Sequence, residues 1–232
     1  MSKEASRPFV FVNMAMTADG KISTTNRDLS SFGSKRDLEH LYELRATADA
    51  VMAGARTAEI VDLKMGPGGR RFEALRLRHG LDRYNLRVVV SGSGSVDPKA
   101  TLFQHRFSPI IVVTSALAPK PRLASLKKVA DELLVAGNQE VDFALVLRHL
   151  RERWNIQRLL CEGGGELNDA LFRAGLVDEL HLTICPKIFG GRTAPTIVDG
   201  RGFPDLAQAI RMKLKSSRRV GSEIFLVYRT LK

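Results

Sequence analysis

The sequence predicts an α/β fold with a mainly parallel sheet and helices on both faces, and three observations support this prediction. Short apolar runs rich in β-branched residues alternate with loops or with segments of helical period. Several runs end in glycine-containing turns, and open α/β sheets bind ligands at the carboxyl ends of their strands. The last two runs are joined by a tight turn, which predicts an antiparallel pair at the C-terminus. We therefore expect a polar tail over residues 1–8 and a single domain over residues 9–232.

The composition is that of an ordinary globular protein. Of the 232 residues, 44% are hydrophobic and 26% are charged, and no apolar run approaches the roughly 20 residues that a membrane helix needs. The N-terminus lacks the apolar core of a secretory signal, so we expect a cytoplasmic protein. The two cysteines, Cys161 and Cys185, lie in apolar runs without metal or disulfide spacing, which predicts buried free thiols.

The formal net charge of +11 is compatible with nucleic-acid binding and also with ligands that carry phosphates. The basic residues are spread along the chain in short clusters, without the interleaved aromatic pattern of an RNA-binding sheet. We therefore expect most of this charge to be solvated surface.

The elements follow from the periodicity of the apolar residues. Buried strands are predicted over residues 9–16, 50–53, 86–91, 110–114, 133–136, 156–161 and 180–185, and a closing antiparallel pair over 214–220 and 223–230. Helices are predicted from Ser34 to Ala48, over 143–154, and from Glu166 until Gly175 ends the third. The basic stretch over 62–83 begins as a glycine-rich loop of a kind that can cover a site.

Two strand ends carry candidate site residues. Asp19 follows the first strand and is either a site carboxylate or a turn residue bonded to its own backbone; the spacing alone favours the turn residue. Gly163-Gly164-Gly165 lies between a strand and a helix. Because glycine permits positive φ and close ligand approach, and a helix N-terminus attracts anions, this turn is a candidate phosphate site. It matches neither standard nucleotide-binding fingerprint, and in isolation a flexible turn would explain it better.

Several catalytic classes are excluded by their missing motifs. The five histidines lack metal-ligand spacing, and both the G-x-S-x-G nucleophile turn and the zinc deaminase signature are absent. What remains is a set of glycine-containing strand ends that would suit an extended ligand with two phosphates: 54–57, 91–95, 163–166 and 190–191.

Five motifs, in order and at similar intervals, resemble the reductase family of riboflavin biosynthesis. They are NMAMTADGKIST (13–24), LRATADAVMAGART (44–57), CEGGGELN (161–168), GLVDEL (175–180) and PKIFGG followed by AP (186–195). The chain resembles the reductase domain of the bifunctional deaminase-reductase. It is more similar still to the stand-alone archaeal and fungal form, a 2,5-diamino-6-ribosylamino-4(3H)-pyrimidinone 5′-phosphate reductase.

The resemblance implies a dihydrofolate-reductase-like fold, NADPH as the hydride donor and a homodimer. It also implies the reaction of a small phosphorylated pyrimidine: its ribosylamine opens to an imine, and a hydride adds to the imine carbon to give the ribitylamino chain. An acid near the imine nitrogen or the ring oxygen would assist this chemistry.

The resemblance also implies site residues, position by position. Asp19 matches a proton-handling, catalytic carboxylate, and no metal is implied. The substrate side is expected to include Lys21, Ser30 and Arg70. The cofactor side is expected to include Thr57, Asp62, Ser91, Gly92, Glu162, Gly163, Gly164, Gly165 and Glu166.

One segment departs from the family pattern. After Thr57 the family has D-D-P-x-L and a basic residue, whereas this chain runs Ala58-Glu59-Ile60-Val61-Asp62-Leu63. Asp62 is the expected replacement for one acid, and Arg70 or Arg71 for the base. The exact substrate and the preference between NADPH and NADH therefore stay open. Two alternatives remain: an NADPH reductase of the same fold with another pterin-like or carbonyl substrate, and a non-catalytic basic module that binds nucleic acid.

Overall fold

The computed structural model describes residues 7–27, 32–59 and 64–231. Its packing divides the chain into two compact units: unit 1 comprises Met1–Phe9 and Tyr42–Leu160, and unit 2 comprises Val10–Leu41 and Cys161–Lys232. A single domain over residues 9–232 stays a prediction. Among the described residues, no helix has the length and apolar character needed to cross a membrane.

Strands and helices alternate along most of the described chain. In chain order the elements are β1 (Phe9–Thr17), α1 (Lys35–Arg45), β2 (Ala50–Gly54), α2 (Ala55–Ala58), α3 (Arg70–Arg78), β3 (Leu86–Val90), α4 (Thr101–Gln104), β4 (Ile110–Thr114), α5 (Lys120–Leu126), β5 (Glu132–Val135), α6 (Phe143–Trp154), β6 (Arg158–Cys161), α7 (Gly165–Arg173), β7 (Glu179–Cys185), a 3-10 turn (Leu206–Gln208), β8 (Met212–Val220) and β9 (Glu223–Thr230).

Unit 1 is built on parallel strands. Strand β2 pairs with β3, β3 with β4, and β4 with β5, all in parallel. Almost every residue of β3 and β4 is buried, as expected for parallel strands that are covered on both faces. Helix α6 begins at the N-cap Asp142, whose side chain accepts a hydrogen bond from Leu145 N, and it ends at Asn155 in the left-handed conformation.

Unit 2 combines a parallel pair with an antiparallel pair. Strand β1 runs parallel to β7, with Thr17 opposite Cys185, so the carboxyl ends of these two strands lie side by side. Strand β9 is antiparallel to both β7 and β8. The β8–β9 hairpin turns at Gly221-Ser222, where Gly221 has a φ of +60° that favours glycine.

The predicted fold class is confirmed. All predicted strands form with small shifts at their ends, and the C-terminal pair is antiparallel. The glycine-rich start of the basic stretch has no helix or strand over residues 65–69, and residues 70–78 form α3, a helix that the sequence did not predict. This helix buries Phe72 and Arg76, and an arginine at an inward position hides the apolar period that would reveal a helix.

Among the described residues, Arg45, Arg76 and Arg87 are buried and are exceptions to the expectation of solvated charge. The Arg76 guanidinium is buried and donates to the carbonyls of Arg45 and Ala48, each at 2.6 Å. The Arg87 guanidinium is buried and donates to the Leu102 carbonyl at 3.2 Å, and burial lowers its pKa to about 10. Both satisfy main-chain acceptors, which is what makes a buried charge tolerable.

Candidate active site

In unit 2, two turns with sequence-predicted site residues follow the carboxyl ends of strands. Residues 18–21 follow β1, and the glycine turn over residues 163–165 follows β6. Both turns contact the segment after β7, residues 186–199, which we call the post-β7 loop.

Asp19 is bound by the chain itself. Its Oδ1 accepts hydrogen bonds from Thr17 Oγ1 at 2.5 Å and Phe189 N at 3.2 Å, and its Oδ2 accepts one from Gly190 N at 2.7 Å. The Thr17 hydroxyl lowers the pKa of the Asp19 carboxyl, and the N–H groups of Gly190 and Phe189 lower it further. An ionised carboxylate with three donors is suited to hold the post-β7 loop, and it is poorly suited to release a proton.

Lys21 lies at the other end of the same turn. Its Nζ donates to the Ala194 carbonyl at 3.0 Å, and its main chain forms an antiparallel bridge with Thr196. The next residue continues this contact, since Ile22 N donates to the Pro195 carbonyl at 2.9 Å. The turn that carries Asp19 and Lys21 is therefore fixed to the post-β7 loop at both of its ends.

The chain's own packing requires two of the three glycines in the glycine turn. Gly163 has a φ of +78°, and a Cβ there would lie 2.7 Å from Met14 Sδ. A Cβ at Gly165 would lie 2.7 Å from the Thr196 carbonyl oxygen. The sequence interpretation, that glycine admits a ligand, is thus incomplete, because Gly163 and Gly165 first admit neighbouring segments of the protein.

The post-β7 loop is also bonded to the helix that follows the glycines. Asp199 N donates to the Gly165 carbonyl at 3.0 Å, and Asn168 Nδ2 donates to the Ile197 carbonyl at 2.7 Å. One loop therefore joins the glycine turn to the Lys21 turn, since Thr196 bridges Lys21 and also lies against Gly165. The structure brings these two sequence motifs together within unit 2.

The N-terminus of α7 has the geometry of an anion site. Gly164 is its N-cap and offers no side-chain cap, so the first-turn N–H groups point out of the helix end. Gly164 has φ −80° and ψ −167°, an extended conformation open to any residue. The peptide bond between Gly163 and Gly164 is cis. Glu166 is exposed in the first helical turn, while Glu162 is half-buried before the turn.

In unit 1, the predicted cofactor residues lie at two further strand ends. Thr57 is half-buried in α2, directly after β2. Ser91 and Gly92 build the turn after β3: Ser91 Oγ accepts a hydrogen bond from Val96 N at 3.0 Å, and the Gly92 carbonyl accepts one from Ser115 N at 2.9 Å. Their polar atoms therefore have structural partners before any ligand binds.

The remaining predicted residues divide into two groups. Arg70 is exposed at the start of α3 in unit 1. Ser30 and Asp62 lie outside the described residues, so their assignments stay predictions.

Sequence reasoning missed a group of polar side chains in unit 2. The sequence places Asp37 within the helix predicted from Ser34 to Ala48 and Glu223 at the start of the strand predicted over 223–230, without indicating that the two residues meet. In the structure both carboxylates are close to Cys185 of β7, and Asp37 is also close to Thr183. The available signal was the alternation of polar His181 and Thr183 with apolar residues in a largely buried strand.

Comparison with known proteins identifies the family. The family model described as RibD C-terminal domain matches residues 8–226. The chain is 37% identical over 222 residues to the 2,5-diamino-6-ribosylamino-4(3H)-pyrimidinone 5′-phosphate reductase of Methanothermobacter thermautotrophicus, covering 96% of this chain and 98% of that protein.

Solved structures show the same fold. The riboflavin biosynthesis reductase of Saccharomyces cerevisiae has a TM-score of 0.71 at 18% identity, covering 100% of this chain and 93% of that one. Dihydrofolate reductase from Enterococcus faecalis, complexed with NADP(H), has a TM-score of 0.51 at 12% identity, covering 97% of each chain. The dihydrofolate-reductase-like fold expected from the motifs is confirmed.

Proposed function

Because the chain belongs to the RibD C-terminal domain family, we propose that it is the reductase of riboflavin biosynthesis that acts on a pyrimidinone 5′-phosphate. In this reaction the ribosylamino side chain is reduced to the ribitylamino form, with NADPH as the hydride donor. The single observation that carries the proposal is the 37% identity to the archaeal reductase, which extends over 96% of this chain and 98% of the relative.

This match also bears on the two alternatives. The departure after Thr57 left open a reductase with another substrate, but the identity to the archaeal enzyme extends along nearly the whole chain. It therefore favours the same phosphorylated pyrimidinone. A non-catalytic module that binds nucleic acid has no support in these matches.

The N-terminus of α7 fits a dinucleotide pyrophosphate, because its first-turn N–H groups are offered without a side-chain cap. When bound, the reduced nicotinamide supplies the hydride. We assign phosphate contacts to Gly164 and Gly165, with Gly163 shaping the turn. Glu166 would repel a phosphate, so its carboxylate is assigned to ribose hydroxyl or amide groups of the ligands.

The Lys21 turn is the proposed substrate side. The Lys21 ammonium has three donors and gives one to the Ala194 carbonyl, so it retains the capacity to bind a substrate hydroxyl or phosphate. Asp19 is assigned to positioning, because its carboxylate holds the post-β7 loop next to Lys21. The remaining residues predicted from the sequence to contact the substrate or the cofactor stay proposed contacts: Ser30, Thr57, Asp62, Arg70, Ser91, Gly92 and Glu162. A homodimer is also part of the proposal.

The test is a kinetic assay with the purified full chain. Loss of NADPH absorbance should depend on the added diaminopyrimidinone phosphate, and the product should carry the ribityl chain by mass spectrometry. The same assay with the deaminated pyrimidine and with NADH measures substrate and cofactor preference. An enzyme that binds NADPH but oxidises it only with an unrelated carbonyl compound would contradict the assignment. The proposed homodimer is tested separately, by measuring the molar mass in solution with light scattering.

A further inference from the structure

The N-terminal part of α1 lies over one face of β7 and β9. The His40 ring is 6.0 Å from the His181 ring and 5.3 Å from the Phe225 ring, measured between centroids. Thr183 pairs with Phe225 in the antiparallel register, so Thr183 and His181 belong to the face that His40 covers. Asp37 lies three residues before His40, on the same side of the helix. The Asp37 side chain is therefore directed at this strand face.

A clamp fixes the start of the helix that carries Asp37. The Glu223 carboxylate accepts hydrogen bonds from Ser34 N at 2.8 Å and Ser34 Oγ at 2.6 Å. Ser34 Oγ in turn accepts from Arg36 N at 3.1 Å and Asp37 N at 3.2 Å, which caps the helix. Both Glu223 oxygens are thus used to position the helix, whereas Asp37 is only half-buried and keeps access to solvent.

One buried hydroxyl beside Asp37 lacks a conventional partner. Thr183 is 1% exposed, and its Oγ1 makes no hydrogen bond of standard geometry with the described residues. It nevertheless lies close enough to Asp37 to affect the titration of that carboxyl. Because buried hydroxyls are normally satisfied, a hydroxyl whose contact with a carboxyl falls short of standard hydrogen-bond geometry indicates a place that a polar ligand or a water would complete.

This place adjoins the proposed substrate side. Cys185, at the carboxyl end of β7, is close enough to Asp37 and Glu223 to experience both of their charges. In the parallel register Cys185 lies opposite Thr17, whose hydroxyl binds Asp19. The Asp37 carboxyl therefore lies near the carboxyl end of β7, and this strand end is paired with the end of β1 from which the turn with Asp19 and Lys21 begins.

The pKa values of the two aspartates in this region, Asp37 and Asp19, are shifted in opposite directions. Desolvation raises the pKa of Asp37; the Thr183 hydroxyl opposes this effect, and the Glu223 charge adds to it, so the net direction is upward. The pKa of Asp19 is lowered, first by Thr17. Carboxyls whose environments push their pKa values apart commonly divide the roles of acid and anion.

We propose that Asp37 is the proton donor that opens the ribosylamine ring of the substrate, an inference that rests on the function proposed above. Protonated Asp37 gives its proton to the ring oxygen as the bond from the anomeric carbon to that oxygen breaks, and the nitrogen lone pair forms an iminium. A bound reduced nicotinamide would supply the hydride for the anomeric carbon, and the iminium electron pair would return to nitrogen. The substrate gains one hydride and one proton, the nicotinamide is oxidised, and water reprotonates Asp37.

The test compares Asp37→Asn with a control on the same helix. The substituted amide keeps the size of the side chain but cannot donate a carboxylic proton, so kcat should fall by about 100-fold or more, the range expected for a general acid, while the NADPH Kd stays unchanged. Glu39→Gln removes a carboxylate that is half-exposed and paired with Arg36, and its kcat should match the wild type. Asp37→Glu, which restores the acid one methylene further out, should recover part of the loss.

The pH profile separates proton donation from a structural role. Wild-type kcat should fall on the alkaline side as Asp37 ionises, and this limb should vanish in Asp37→Asn. Thr183→Val removes the hydroxyl that lowers the pKa of Asp37, so the limb should move to higher pH. The other titratable or charged groups around this face are His40, His181, Lys187, Arg218, Glu223 and Cys185, and any limb that persists in Asp37→Asn belongs to them. Burial raises the pKa of Cys185 to about 12, so the thiol stays neutral in this range.

A measurement without substrate tests the protonation of Asp37 independently. Because its folded pKa lies above the ordinary value of 3.8, the wild type should lose stability relative to Asp37→Asn as pH rises through the folded pKa, and the two melting temperatures should converge below 3.8. This inference alone is overturned if the wild type is active and the Asp37→Asn variant keeps the wild-type kcat and an unaltered alkaline limb. A wild type that cannot reduce the pyrimidinone phosphate overturns the proposed function first, and this inference falls with it.

Discussion

Replacement of Gly165 by alanine tests whether the glycine turn is packed against the post-β7 loop. The new Cβ would lie 2.7 Å from the Thr196 carbonyl oxygen, 3.0 Å from Asp199 N and 3.1 Å from Asp199 Cβ. Two of these atoms belong to the main chain, so no flexible side chain can move aside. The loop or the start of α7 must shift, which also strains the hydrogen bond from Asp199 N to the Gly165 carbonyl.

The size of the effect follows from two opposing terms. Forcing an extra methyl into a packed site costs about 1–3 kcal/mol. Alanine is favoured over glycine in a helix by roughly 0.5–1 kcal/mol, which offsets part of that cost. A net destabilisation of about 1–2 kcal/mol corresponds to a fall in Tm of roughly 2–8 °C for a chain of this length.

Thermal unfolding of Gly165→Ala, with Gly92→Ala as a matched control, provides the measurement. A Cβ at Gly92 would meet only Val141 Cγ2, at 3.7 Å, which is an ordinary contact. Gly92→Ala should therefore leave the Tm unchanged or raise it, since alanine stabilises compatible sites by about 0.4–1 kcal/mol. Gly165→Ala should also raise the NADPH Kd, because the displaced loop distorts the helix N-terminus.

The reasoning would be refuted by a Gly165→Ala variant that melts at or above the wild-type temperature and binds NADPH with wild-type affinity. That result would mean that the post-β7 loop yields without cost, and that the contact between Thr196 and Gly165 has no part in holding the glycine turn.

Three further predictions follow from the same region. Gly164→Val should raise the NADPH Kd in a fluorescence titration, because Gly164 has extended backbone angles open to valine while the side chain would cover the helix N-terminus; unchanged affinity would remove this turn from the cofactor site. Asp19→Asn should lower turnover more than NADPH affinity, because an amide cannot accept all the hydrogen bonds from Thr17, Phe189 and Gly190; wild-type steady-state kinetics would exclude Asp19 from the mechanism. Asp169→Asn should lower the Tm at neutral pH: desolvation raises the pKa of Asp169, but its bonds to Arg173, Gly202 and Arg201 lower it overall. That stabilisation is present above pH 3.8, the ordinary pKa of an aspartate, and it is lost as the pH falls through the pKa of Asp169 in the folded protein. Parallel curves of Tm against pH for the wild type and Asp169→Asn would contradict this prediction.

Local sequence patterns were sufficient to predict most of the fold. The strands β3 and β4 are runs of β-branched residues, and the hairpin turns at the Gly221-Ser222 position that the sequence marks, because these signals depend on near neighbours only. Helix α3 was not predicted because Arg76 occupies an inward position. An arginine is tolerated there because carbonyl groups distant in sequence, such as that of Arg45, accept hydrogen bonds from its guanidinium.

The sequence was sufficient to predict the motifs of the candidate site, but less so the roles of its individual residues. The sequence alone located the Asp19 turn and the Gly163–Gly165 turn, and their resemblance to a reductase family indicated the chemistry. It could not show that Thr196 lies between them, nor that a Cβ at Gly165 would meet a carbonyl rather than empty space.

By itself, then, the sequence determined the parallel α/β class, the family and the two turns, because periodicity and short motifs are properties of consecutive residues. Only the tertiary structure decided what each polar side chain meets. Ser34 and Glu223 are bonded although they lie 189 positions apart, and that clamp places Asp37 over β7 and β9. Strand order and register determine such contacts, and with them the burial that raises the pKa of one aspartate while hydrogen bonds lower that of another.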